Sequence, residues 1–106
     1  MTGVVQFRSR HPLVGIWRHP DQEYGTSLRI AISAADEGFR VRAWDDADGE
    51  ELGISSVSWD GRALSFEAHV PSTGWRTLYE VEPSNEGTVT VRFTQSESWV
   101  RGDEAP

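Results

Sequence analysis

From Ser27 onward the apolar side chains recur at every second residue, and that spacing restricts the chain more than any other feature. A period of two marks a strand with one covered face; a helix would repeat near 3.6. One face collects Leu28, Ile30 and Ile32, then Phe39, Val41 and Ala43, then Val57 and Trp59. It continues through Leu64, Phe66, Ala68 and Val70, then Trp75, Tyr79 and Val81, and ends in Val89, Val91 and Phe93. Arginine, glutamate, serine and threonine fill the intervening positions, the pattern of half-buried antiparallel strands.

Turn chemistry sits where the alternation breaks, and each turn predicts a register that keeps like faces together. Asp60-Gly61 reads as a two-residue type I′ turn that sets Val57 opposite Leu64. Ala35-Asp36 sets Ile32 opposite Phe39, and with it Arg29 opposite Arg42. Pro71 to Gly74 joins Val70 to Trp75, and Pro83 to Gly87 brings Val81 to Val89. The acidic run Asp45-Asp46-Ala47-Asp48-Gly49-Glu50-Glu51 reads as an exposed loop. The final alternation is expected to run on as one long strand through Gln95 and Glu97 to Trp99.

This predicts an all-β antiparallel up-and-down meander of seven strands from Leu13, or eight if Val4 to Arg8 forms another. With no helix to cover its apolar face, such a meander must curl into a barrel or fold into a sandwich; short hairpins in chain order favour a small barrel. A length of 106 residues suits one domain over 1–106. Residues 1–11 are expected to form an N-terminal arm or the extra strand, and residues 102–106 a flexible tail.

The formal charge of −7 opposes binding to phosphate backbones, so no nucleic-acid partner is expected. No apolar run is long enough for a membrane span or a signal core, and a cytoplasmic location is the expectation. Cysteine is absent, which excludes disulfides and thiolate metal sites.

Gly15-Ile16-Trp17 at the first strand, together with a meander that ends in Trp99-Val100-Arg101, resembles the calycin superfamily of lipocalins and fatty-acid-binding proteins. In lipocalins a G-x-W strand places its tryptophan at the closed end of the barrel, under an arginine from the last strand. The resemblance implies that role for Trp17, with Arg101 or Arg92 across its ring. A second lipocalin motif is missing, and the likeness is to a small bacterial lipocalin-like domain rather than to a secreted lipocalin.

Chemistry-bearing patterns are sparse. The acidic loop echoes an EF-hand, but alignment puts Trp44 and Ser55 where carboxylates are required, so no metal is expected. His11, His19 and His69 lack metal-ligand spacing, there is no G-x-S-x-G, and neither a catalytic residue nor a cofactor is predicted. Arg29, Arg40 and Arg42 share the outer face, as salt-bridge partners or as an anion site. Trp44 falls beside the acidic loop, where exposure would mark a partner surface or a pocket rim.

Five tryptophans in so short a chain direct attention to the interior. The leading expectation is a non-catalytic binding protein that holds a small hydrophobic or amphipathic ligand inside the barrel, against Trp17, Trp59, Trp75, Tyr79 and Phe93. The alternative is a solid core and a protein-interaction module or homodimer acting through the outer surface. A third reading, an enzyme, needs Glu97 and Tyr79 to converge inside.

Overall fold

Alternation becomes seven antiparallel strands in a computed structural model that describes residues 11–20, 27–84, 87–96, 99 and 101–102. They are β1 (Gly15–Arg18), β2 (Leu28–Ala35), β3 (Gly38–Asp45), β4 (Gly53–Trp59), β5 (Leu64–His69), β6 (Arg76–Pro83) and β7 (Val89–Ser96). Sequence neighbours pair within each of two sheets, β1-β2-β3 and β4-β5-β6-β7. The chain passes between the sheets through the acidic loop, where Trp44 bridges Glu51 and the Leu52 N–H donates to the Ala43 carbonyl at 2.9 Å. No closed barrel is formed by the described strands; β1 and β3 are the edges of one sheet, β4 and β7 those of the other, and β1 and β7 lie at the two ends of the strand order. The suggested strand at Val4 to Arg8 lies outside the described residues. None of the described elements is a helix long and apolar enough to cross a membrane.

The covered face follows the alternation through β2, β3 and β5 and at Val81 of β6, whereas Trp75, Val91 and Phe93, expected inside, are exposed toward the end of the meander. Ile30, Ile32, Val41, Ala43, Leu64, Phe66, Ala68 and Val81 are buried, joined by Leu13 ahead of β1 and Leu52 ahead of β4. Both sheets therefore contribute to one core. Leu13 is fixed by more than its burial, since its carbonyl accepts the Trp17 Nε1–H at 2.8 Å and its N–H donates to His11 Nδ1 at 3.1 Å. The His11 ring in turn stands edge-on to Phe39 and Trp59, with centroids 5.0 and 5.2 Å away, so one turn ties the two sheets together.

Three expected registers are corrected by two residues. Ile32 lies opposite Val41, not Phe39, because Ala35 remains in β2 and Asp36-Glu37 make the turn ahead of Gly38, which has φ +111°. Leu64 lies opposite Trp59, not Val57, because the Asp60 carboxylate accepts the N–H groups of Arg62 and Ala63 and stretches the turn. Val81 lies opposite Val91, not Val89, because Pro83 is the last residue of β6 and the Ser84 N–H donates to the Thr88 carbonyl. The turn after Val70 is as expected, with the Val70 N–H donating to the Trp75 carbonyl at 2.9 Å.

A bulge between Ser55 and Ser58 switches the facing of β4 partway along, with Ser56 at φ +57°. Ile54 consequently packs on the core, while Val57, expected inside, is exposed. The described part of the last strand ends at Ser96; Glu97 lies outside the described residues, and Trp99 is 86% exposed.

Candidate functional site

Because a curled meander brings its first and last strands toward one another, the apolar face stays uncovered along the seam between them. There the structure has an open groove of about 380 Å³. Trp17 of β1 and Leu28 and Ile30 of β2 form one wall; Tyr79 of β6 and Val91 and Phe93 of β7 form the other. The register explains the second wall, since Tyr79 is opposite Phe93 and Val81 opposite Val91, which aligns one row of inner residues across the hairpin. Tyr79 is placed between Phe66, stacked at 5.4 Å, and Phe93 at 6.1 Å.

Polar groups are few and uncharged or basic. Thr77 and Gln95 line the groove, and Arg18 and His19 stand at its rim, with no carboxylate among the described lining residues. Burial pushes the Tyr79 phenol above its ordinary value, while a hydrogen bond with Thr77 acts in the opposite direction.

Of the five aromatic residues singled out from sequence, Trp17, Tyr79 and Phe93 meet at this groove. Trp59 does not reach it. It lies with Phe39 and Leu64 in a separate hollow of about 290 Å³, its ring 5.3 Å from that of Phe39. Trp75 is half exposed just ahead of β6 and is not part of either hollow's lining. Leu28, Ile30, Val89 and Val91 were legible as inner-face residues but not as groove residues. Their position on the second and last strands was the available signal, because a curling meander brings those strands to its seam.

The outer arginines are differently arranged from the expected pairing. Arg29 lies opposite Trp44, and Arg42 opposite Ala31, so the two do not confront one another. Arg29 contacts Asp46 at 3.3 Å, and Arg42 holds Glu51 through two bonds of 2.9 and 3.1 Å. This pairing raises the Arg42 pKa and lowers that of Glu51. Arg40 makes no ion pair among the described residues, and Trp44 is half-buried. In the acidic loop the Asp45 carboxylate accepts from the Ser27 hydroxyl and the Ala47 N–H, which lowers its pKa, and Asp48 accepts from the Glu50 N–H. Its acids are thus engaged in shaping the loop, and no cluster of three metal-ligating side chains is found among the described residues.

No family model matches the chain, and no curated protein or solved structure matches it either.

Proposed function

We propose that this protein is a non-catalytic carrier or sensor of a small amphipathic molecule, held in the seam of an incompletely closed lipocalin-like barrel. The carrying observation is the groove itself, about 380 Å³ and walled by Trp17, Leu28, Ile30, Tyr79, Val91 and Phe93. That volume falls in the range of small-molecule sites, which are mostly apolar with a few polar anchors. Arg18 and His19 beside the groove, with no carboxylate among its described lining residues, favour a ligand whose polar end is neutral or anionic.

The test is a titration of intrinsic tryptophan fluorescence with dodecanoate and with anilinonaphthalene sulfonate. Saturable binding that weakens about tenfold or more in Tyr79→Ala is expected, about 1.4 kcal/mol of lost contact. Fluorescence that does not saturate with either probe, or binding indifferent to Tyr79→Ala, rejects the groove as the site.

A further inference from the structure

We infer that β7 pairs edge to edge with β7 of a second copy of this chain. The starting point is the direction of its backbone groups. In an antiparallel ladder the residues alternate between hydrogen-bonded and non-hydrogen-bonded pairs. The bond from the Ser84 N–H to the Thr88 carbonyl sets the phase for the β6-β7 ladder. Counting from it, Thr90, Arg92 and Thr94 bond to β6, while Val89, Val91, Phe93 and Gln95 turn their N–H and C=O groups to the edge with which no described strand pairs. The bond from Val70 to Trp75 gives the complementary phase on the other side of β6, so the two ladders agree.

Exposed edges are ordinarily blunted by brevity, proline, inward charge or a bulge. At the opposite margin β1 has such protection: it is four residues long and is followed by His19-Pro20. β7 has none. It is eight residues long, contains neither proline nor glycine, and keeps an unbroken register from Val89 to Ser96. Its single charge, Arg92, is already paired with Glu82 at 2.9 Å. At its centre Phe93 is 67% exposed, an aromatic side chain on the apolar face that borders the groove.

Symmetry then selects the register. A two-fold axis at Arg92 would set guanidinium against guanidinium at the closer, non-hydrogen-bonded spacing, which is unfavourable. An axis at Val91 would run the strand into the turn that precedes Val89. An axis at Phe93 aligns Thr90 through Ser96 with the partner, sets Phe93 against the partner's Phe93, and sets Arg92 against Thr94 of the partner subunit. Aromatic pairs across strands are among the favourable ones. The net charge of −7 on each copy opposes association, but none of the acids responsible lies on β7. The partner strand would also extend the wall formed by Val91 and Phe93, so the groove gains a border from the second copy. The pairing does not depend on a ligand.

Sedimentation across a concentration series tests it. The wild-type chain is expected to dimerise, and Val91→Pro to weaken the dimer at least tenfold while keeping its β circular dichroism, because the removed N–H is an edge donor that the β6 ladder does not use. The absence of cysteine allows a second readout. Phe93→Cys should oxidise to a covalent dimer, since hydrogen-bonded antiparallel pairs hold Cα atoms about 5.5 Å apart, within disulfide reach. Arg92→Cys should not. A wild-type monomer at several hundred micromolar, a dimer unaffected by Val91→Pro, or efficient crosslinking of the Arg92→Cys variant in place of the Phe93→Cys variant overturns the inference. If Val91→Pro does not fold, the crosslinking pair decides alone.

Discussion

Gly15 and Trp17 show how a short motif can constrain structure without fixing function. Gly15 has φ +152°, a conformation that side-chain-bearing residues rarely adopt, although an added Cβ would meet only the Trp17 ring at 3.8 Å. Gly15→Ala is therefore expected to cost about 1 to 3 kcal/mol through the backbone alone, measured by urea unfolding. Trp17 is half-buried and its indole N–H is committed to Leu13. Trp17→Ala should cost about 2 kcal/mol, below the 3 to 5 typical of fully buried aromatic residues. The G-x-W spacing was legible because glycine and tryptophan each carry a strong local signature. Ser56 carried none, since a serine among alternating residues does not announce φ +57°. Relief of that strain predicts that Ser56→Gly is neutral or stabilising by up to about 1 kcal/mol, despite the entropy glycine adds to the unfolded chain.

At the level of strands and turns, the alternation from Ser27 located β2 to β7 and the G-x-W motif marked β1, but the register of three hairpins was misread. The reason is general: a shift of two residues preserves every inward and outward position, so hydrophobic pattern cannot distinguish the two registers. Side-chain bonds to the turn backbone decide instead, and Asp60 is the clear case. Its carboxylate accepts the Arg62 N–H at 2.7 Å and the Ala63 N–H at 2.8 Å, and these bonds lower its pKa, that to Ala63 most. A carboxyl group with a lowered folded-state pKa supports the fold above its unfolded value, near 4, and loses that support as pH falls through the folded value. Asp60→Asn should thus lower the melting temperature at pH 7, with the difference from wild type shrinking below about pH 4. A constant difference down to pH 2 would mean that the charged form contributes nothing to the turn. Trp59 adds a related lesson for the site. It faces inward as expected, yet its place next to this turn puts it with Phe39 and His11 rather than at the groove.

For the whole molecule the decisive fact is that one apolar face is covered by two sheets whose outer strands do not close. The core at Phe66, Leu64 and Val81 is fully buried, while the seam between β1-β2 and β6-β7 keeps the groove. A one-faced meander predicted a buried inner face, and the leading expectation put the ligand inside it; a groove at the seam depends on how far the sheets curl, which residue pattern does not specify. Tyr79 reports on both, because it packs on Phe66 from the core and borders the groove on its other side. Burial raises its pKa, so the folded state favours the neutral phenol. That contribution is present below the unfolded value near 10 and is lost as pH rises through the higher folded value. Absorbance near 295 nm during alkaline titration, compared between wild type and Tyr79→Phe, should assign to Tyr79 a phenol that ionises above the ordinary range. A ligand seated in the groove removes further water from Tyr79 and should delay its ionisation again, while raising unfolding stability by about 2.7 kcal/mol at a hundredfold excess over Kd. Stabilisation without any change in the tyrosine titration would place the ligand elsewhere on the molecule. Neither effect, with dodecanoate bound by an independent measure, would mean that binding does not favour the folded state.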